Sequence, residues 1–162
     1  MSGRSKVSIS SSSDVVRIKP NHYIHVHDNN TGTTKVLAGP ATFTRQDHEK
    51  VVSGPTQMTI IPPRCYCRIS NPVKRDADGN PKTDKNGNYE LAHGDSEIRF
   101  EQPPFPLFPG EALDGKVEAL TIVQPESALR LRASRDFTEG ETSRIAGDEW
   151  LFKGPGTYIP RV

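Results

Sequence analysis

Large apolar side chains are scarce in this sequence, and long apolar runs are missing from it. Hydrophobic residues make up 33% of the 162 positions, while 14 prolines and 13 glycines interrupt the chain. This composition excludes one large core and predicts several small units that share apolar contacts with their neighbours. No stretch approaches the ~18 apolar residues of a membrane helix, and the opening MSGRSKVSISSSS lacks the apolar segment of a signal peptide. We therefore expect neither a membrane partner nor secretion.

The sequence also has little net charge and little cysteine. Its 21 basic and 20 acidic side chains give a formal net charge of +1, so we expect no direct nucleic-acid partner. The two cysteines, Cys65 and Cys67, are separated by a single residue and form a poor disulfide pair. Reduced thiols in a cytoplasmic protein fit this pattern best.

Three stretches of the chain align with one another without gaps. They begin at Asp14, Gln57 and Ala119 and read DVVRIKPNHYIHVHD, QMTIIPPRCYCRISN and ALTIVQPESALRLRA. Each has an apolar second and fifth residue, a proline two residues later, and then the alternation of a half-buried strand. The apolar pairs are Val15 and Ile18, Met58 and Ile61, and Leu120 and Val123, and the prolines are Pro20, Pro63 and Pro125. This internal repeat predicts three copies of one small unit.

A Gly-Pro or Pro-Gly pair is predicted to turn the chain later in each unit. The pairs lie within VLAGPATF, PLFPGE and WLFKGPGTYIP. Each unit is interpreted as strand, proline bend, strand, loop, strand, turn and short strand. The predicted fold class is all-β, with tandem small antiparallel β-sheet repeats in an elongated array.

The predicted organisation has four parts. A serine-rich disordered arm covers 1–13, and β repeats follow at 14–56, 57–118 and 119–162. The second repeat carries a hairpin insertion at 74–93, where Asp-Gly-Asn and Asn-Gly-Asn mark turns. No cap follows the third repeat, so we expect the array to continue beyond Val162 in a longer protein.

Several stretches carry a resemblance to a known family. They are NHYIHV, GPATFTRQDHEKV, MTIIPPRCYC, NPVKRDADG, EIRFEQPPFPLFPGE and AGDEWLFKGPGTYIPR, in unbroken order from about Val15 to the carboxyl end. The chain resembles the amino-terminal repeats of the major vault protein family. It departs from the family in the serine-rich arm, in the insertion between Asp76 and Tyr89, and at His27.

The function that the resemblance implies is mechanical. Chains of this family stand side by side as a homo-oligomeric shell of the vault ribonucleoprotein particle, and the amino-terminal repeats of two half-shells meet at its waist. The implied function is that of a structural shell subunit with no catalytic residue, no cofactor and no metal. Its main partner is itself, and other vault components are expected to bind outside this fragment. The implied location is the cytoplasm, with a minor nuclear fraction.

Alternating charges offer a way for neighbouring chains to keep lateral register. Arg130 and Arg132 in one stretch, and Glu97, Arg99 and Glu101 in another, are interpreted as complementary pairs between neighbours. Assembly is then expected to weaken with salt.

The polar insertion carries the main alternative. Asp76, Asp78, Asn80 and Asp84 present the hard oxygen ligands that Ca²⁺ prefers, which makes them weak calcium candidates. Their spacing departs from an EF-hand, because glycine comes fourth instead of sixth and no Glu takes the twelfth position. Two turns in a solvated loop explain the same residues. The alternative function is a β-repeat protein-binding module, with calcium dependence left open.

The histidines and cysteines have a structural interpretation. His25 and His27 lie on one face of a predicted strand and would hold a transition metal only if Cys65, Cys67 or His22 came near. No Cys-x-x-Cys pair supports such a site, so solvated histidines are the favoured interpretation.

Arginine and tryptophan in the third repeat are also given structural roles. Arg130, Arg132 and Arg135 have no interleaved aromatic residues, so a charged interface strand is favoured over contact with RNA. Trp150 is expected to anchor the core of this repeat.

Overall fold

The computed structural model describes residues 14–161, so the predicted arm, 1–13, and Val162 lie outside it. Between 14 and 161 the chain forms fourteen strands and no helix, and the predicted all-β class of small antiparallel sheets is confirmed. Nor does this range contain any helix of the length and apolarity that membrane crossing requires. The strands are β1 Val15–Ile18, β2 His22–Asp28, β3 Thr33–Ala38, β4 Ala41–Thr44, β5 Glu49–Gln57, β6 Cys65–Ser70, β7 Ser96–Phe100, β8 Ala112–Ala119, β9 Thr121–Val123, β10 Ala128–Arg132, β11 Phe137–Glu139, β12 Thr142–Arg144, β13 Glu149–Lys153 and β14 Gly156–Tyr158.

The same strand pairing recurs along the chain. In the first repeat β1 pairs with β4, and β2 lies between β3 and β5. In the second repeat β6 lies between β7 and β8, and a single bridge from Thr59 to Phe105 stands where β1 and β4 pair in the first. In the third repeat β9 pairs with β14 and β10 with β13, while β11 and β12 form an added hairpin. We call β2, β6 and β10 the central strands, and β5 and β8 the third strands.

The predicted proline bend is a turn with a left-handed residue in every repeat. The residues that follow the prolines have positive φ angles of 56, 59 and 64 degrees at Asn21, Arg64 and Glu126. The amide after each of them donates to a carbonyl three residues back at 3.2 Å, as from His22 to Lys19. Proline followed by a positive φ is the pattern of a type II turn. The bend therefore requires a left-handed backbone conformation, which residues other than glycine adopt only at an energetic cost.

The fifth residue of each aligned stretch is buried, and these residues are Ile18, Ile61 and Val123. The second residue is less regular, since Val15 of the first stretch is 46% exposed. The central strands of the first two repeats supply the fully buried side chains, which are Ile24, Val26, Cys67 and Ile69.

The predicted equivalence of the three Gly-Pro and Pro-Gly pairs is wrong for the second repeat. Gly39 and Gly154 precede β4 and β14, and a Cβ atom built on either would strike the carbonyl of Lys19 or Gln124. The PLFPGE segment instead lies immediately before the third strand β8. A carboxylate stabilises the turn in this segment, because Glu111 accepts a hydrogen bond from the amide of Phe108 at 2.9 Å. The two elements share residue types but occupy different places in the sheet.

The insertion of the second repeat is a closed three-part ring. The amides of Lys74, Lys82 and Glu90, eight residues apart, donate to the carbonyls of Glu90, Lys74 and Lys82 at 2.8, 2.8 and 3.0 Å. Turns at Gly79 and Gly87 close the first two parts, with φ angles of 83 and 90 degrees. The predicted turns are therefore confirmed, although the insertion is a three-part ring and not a simple hairpin.

Candidate functional site: the joints between repeats

Consecutive repeats are joined by a main-chain hydrogen bond at the proline bend. The amide of Met58 donates to the carbonyl of Asn21, and the amide of Leu120 donates to the carbonyl of Arg64, both at 2.8 Å. Asn21 and Arg64 are the left-handed residues of their bends. The unusual φ angle thus directs one carbonyl to the first residues of the next repeat. This joint recurs with the same geometry and needs no particular side chain.

The joint between the first and second repeats has an additional side-chain contact. His25 Nε2 lies 2.8 Å from the carbonyl oxygen of Leu107, across 82 positions of sequence. Burial raises the pKa of the neighbouring Tyr23, a backbone hydrogen bond from Leu107 opposes that rise, and the charge of Glu111 adds to it. Two side chains of the first repeat therefore contact the main chain of one residue in the second.

The side chains equivalent to Tyr23 and His25 differ at the second joint. Tyr66 occupies the place of Tyr23 and donates to Glu118 Oε2 at 2.7 Å, inside its own repeat. That hydrogen bond is the largest cause of the raised pKa of Tyr66, with burial second. Arg68 replaces His25 at the next outward position. The two joints therefore share only the main-chain bond.

A buried ion pair anchors the third strand of the second repeat. Arg99 Nη2 lies 2.8 Å from Glu111 Oε1, and the two side chains are 5% and 0% exposed. Glu111 also accepts the amides of Val73 and Phe108 at 2.8 and 2.9 Å. The guanidinium of Arg99 lies 4.9 Å from the ring centre of Phe105. Arg99 was predicted to set lateral register with other chains; this is wrong, because its charge is buried and paired within its own repeat.

The first repeat has a more exposed version of this anchor. Glu49 accepts Lys35 Nζ at 2.8 Å and the amide of Gln46 at 3.1 Å. The hydrogen bond from Lys35 holds the pKa of Glu49 below its usual value, and burial opposes that shift. Both anchors were missed by sequence reasoning. The available signal was a Glu three residues after the start of each turn, in QDHE and FPGE, the spacing at which a carboxylate reaches back to an amide.

The calcium candidates lie in two turns whose carboxylates bind their own backbone. Asp76 Oδ1 accepts the amides of Asp78 and Asn80 at 3.0 and 2.9 Å. Asp84 Oδ1 accepts two amides in the same way, at 2.8 and 3.0 Å. The backbone hydrogen bond from Asn80 is the largest cause of the lowered pKa of Asp76. Over residues 14–161 no group of three His, Cys, Asp or Glu side chains is placed to hold a metal. Calcium binding stays a prediction.

His25 and His27 of the first repeat contact different partners. His25 contacts Leu107, whereas His27 Nδ1 lies 2.9 Å from Thr34 Oγ1. Cys67 is fully buried in the second core, where burial raises the pKa of its thiol. These contacts give each group a local structural role.

Trp150 contacts other side chains of the third repeat. It is partly buried, with the Phe137 ring centre 5.9 Å away and the Arg144 guanidinium 4.2 Å over its ring. A cavity of about 280 Å³ lies beside it. Trp150 thus packs inside the third repeat. Arg130 is exposed and lies 3.6 Å from Glu149 across the strand pair.

Known proteins of one family match this chain. A model described as the Major Vault Protein repeat domain matches residues 58–117, and another with the same description matches 121–161. The chain is 62% identical to major vault protein alpha of Dictyostelium discoideum over 148 residues, 91% of this chain and 18% of that protein. It is 56% identical to the Ictalurus punctatus major vault protein over 149 residues, and 50% identical to that of Homo sapiens over 148, each 91% of this chain and 17% of the relative. The chain therefore spans less than a fifth of these relatives, and it belongs to the family of major vault protein repeats.

Proposed function

We propose that this chain is the repeat portion of a structural subunit that assembles, side by side with copies of itself, into the shell of a vault particle. The observation that carries this proposal is the recurring main-chain joint, in which a backbone carbonyl of one repeat accepts a hydrogen bond from an amide of the next. A bond of this kind fixes the spacing between consecutive repeats. An elongated array of small sheets is suited to form one longitudinal segment of a shell wall. Sheet edges left open are then covered by neighbouring chains.

The proposed partners follow from this function. The main partner is a further copy of the same protein, through lateral contacts along the repeats and through contacts at the particle waist. Other vault components bind elsewhere on the longer protein, and neither a nucleic acid nor a membrane contacts these repeats directly. No catalysis is assigned to them, and their proposed location is the cytoplasm, with a minor nuclear fraction. The alternative function, a protein-binding module, gains no support from the relatives.

Electron microscopy of negatively stained full-length protein tests the proposal. The wild-type protein is expected to form hollow particles whose number falls as salt rises, because the exposed charges at the lateral contacts are screened. Monodisperse protein without hollow particles at low salt would contradict it.

A matched pair of variants at the second joint tests the role of the repeats. Leu120→Pro removes the amide that donates to Arg64, whereas Leu120→Ala keeps it. We expect particles from Leu120→Ala and few or none from Leu120→Pro. Equal particle yields from the two variants would show that the joint does not support assembly.

A further inference from the structure

The three-part ring of the second repeat, residues 74–93, lies against the first repeat. A Cβ atom built on Gly87, in the second turn of the ring, would lie 3.5 Å from Cγ2 of Thr33 in β3. A methyl group at that place would be in van der Waals contact with the threonine, so the main chain of this turn lies close beside β3. The insertion therefore reaches across the boundary between two repeats.

The three-part ring also packs on the segment that precedes β8, residues 105–111, which we call the joint loop. The aromatic side chains of Tyr89 and Phe108 meet edge to face, with 4.8 Å between their centres. The guanidinium of Arg75 lies 5.9 Å from the centre of the Phe108 side chain. A Cβ atom built on Gly110 would strike Cδ1 of Leu91, so glycine lets the loop approach the ring this closely.

The joint loop contacts the joint between the first and second repeats at two points. The carbonyl oxygen of Leu107 lies 2.8 Å from His25 Nε2. Phe105 exchanges two main-chain hydrogen bonds with Thr59, at 2.9 and 3.2 Å. Thr59 directly follows Met58, whose amide makes the main-chain bond of this joint. The joint loop therefore links the three-part ring to both bonds that cross the joint.

The three-part ring is well suited to hold a fixed shape. Each of its parts is hydrogen-bonded to another through the main chain, and Asp76 and Asp84 each accept two amides of their own turns at 2.8 to 3.0 Å. Polar networks that are fully satisfied rigidify the structure around them. The contact at Gly87 and the contacts with the joint loop are therefore held at a constant distance from each other.

We propose that the three-part ring is a brace that fixes the orientation of the first repeat relative to the second. The single main-chain bond from Met58 to Asn21 permits rotation about itself. The contact of Gly87 with β3, and that of Leu107 with His25, lie at other points and oppose this rotation. The brace acts within one chain, so it goes beyond the proposed assembly and does not depend on a neighbouring chain.

A chain without the brace tests the proposal. An Asn-Gly pair replaces residues 75–89, because a main-chain bond of 2.8 Å already holds Lys74 opposite Glu90 and Asn-Gly is a favoured two-residue hairpin turn. In this shortened chain we expect the amide of Met58 to exchange with solvent deuterium about tenfold faster, because the joint opens more often. The amide of Leu120 is the matched control, since it makes the equivalent bond of 2.8 Å at the second joint and should keep its rate.

A point variant tests the contact between the three-part ring and the joint loop. Tyr89→Ala keeps the ring and removes the aromatic contact with Phe108, so we expect about fivefold faster exchange at Met58. In a chain that already carries His25→Ala, the same change should add less than about twofold, because the contact that it supports is gone. Tyr158→Ala removes an edge-to-face contact elsewhere, with Phe152, and should leave Met58 unchanged.

Residual dipolar couplings measure the orientation of the two repeats directly. The N–H couplings of β2 and β6 are expected to fit one alignment tensor in the wild-type chain. In the shortened chain they are expected to require two tensors, because the first repeat rotates relative to the second. A structural part that only covers the surface of its own repeat would not produce this difference.

Three results would overturn the proposal. They are an unchanged rate at Met58 in a folded shortened chain, equal acceleration at Met58 and Leu120, and one alignment tensor that fits both chains. If the shortened chain does not fold, Tyr89→Ala decides the question, and exchange at Met58 equal to that of the wild type would then reject the brace.

Discussion

Removal of the Glu111 carboxylate is predicted to be among the most damaging single changes in the chain. The Arg99 side chain is 5% exposed in the wild-type protein, and in Glu111→Ala it would keep the carboxylate of Glu97, whose nearest oxygen is 3.1 Å away. The amides of Val73 and Phe108 lose their shared acceptor at the same time. Breaking a buried ion pair by removal of one partner costs about 3–5 kcal/mol, and the orphaned amides place this site in the upper half of that range. The free energy of unfolding from urea titrations, followed by circular dichroism, measures the loss.

Glu49→Ala is the matched control, because it removes the carboxylate of the more exposed anchor. Its cation, Lys35, is 49% exposed, so water can hydrate the ammonium group when the carboxylate is lost. We expect a loss of about 1–2 kcal/mol. If Glu111→Ala destabilises the protein no more than Glu49→Ala, the idea that burial sets the strength of these anchors is refuted.

Three further predictions concern a pKa, a bend and a glycine. The pKa of Glu49 is depressed in the folded protein, so its carboxylate contributes stability above its ordinary pKa of 4.5, and that contribution is lost as pH falls through the folded value. The difference between the urea midpoints of wild type and Glu49→Gln should therefore be present at about pH 6 and shrink as the pH falls below 4.5. Glu126→Gly is expected to stabilise the protein by about 0.5–1 kcal/mol in urea titrations, because glycine adopts the φ of 64 degrees without steric cost. Gly154→Ala is expected to lower stability by about 2–3 kcal/mol in the same assay, because the new methyl group meets the carbonyl of Gln124.

Each of these three predictions has its own control. Glu101→Gln removes the charge of an exposed carboxylate and is the matched control for Glu49→Gln. Thr138→Gly, inside β11, should lower stability where Glu126→Gly raises it. Gly140→Ala has open space around its new methyl group and only its φ of 57 degrees to strain it, so its effect should be about 1 kcal/mol. A pH-independent difference at Glu49, a loss at Glu126, or equal effects at Gly154 and Gly140 would contradict the respective reasoning.

The sequence predicted the frame of the repeats because that frame depends on local pattern. Ile18, Ile61 and Val123 are buried at equivalent positions, and each proline lies in a turn before a central strand. Local pattern cannot identify Arg99 as a buried residue, because its alternation with Glu97 resembles that of a solvated strand. Its partner Glu111 lies twelve positions away, in the turn that precedes β8.

The joints were beyond sequence reasoning for a related reason. The contact between His25 and Leu107 spans 82 positions, and its acceptor is a main-chain carbonyl with no signature in sequence. The left-handed residues are Asn21, Arg64 and Glu126, and only asparagine among them is a residue type that favours this conformation. The alignment did indicate that these three positions are equivalent, and it is their equivalence that makes the unusual φ angles a property of the repeat.

Because the joint bond runs from backbone to backbone, it places almost no demand on residue type. Asparagine and arginine present the same carbonyl to methionine and leucine. Neighbouring units are thus free to diverge in surface and in insertion while the spacing along the chain is retained. Such a coupling is modular, and a hybrid chain in which whole units are exchanged at these bends should keep its pitch even where the exposed side chains no longer match.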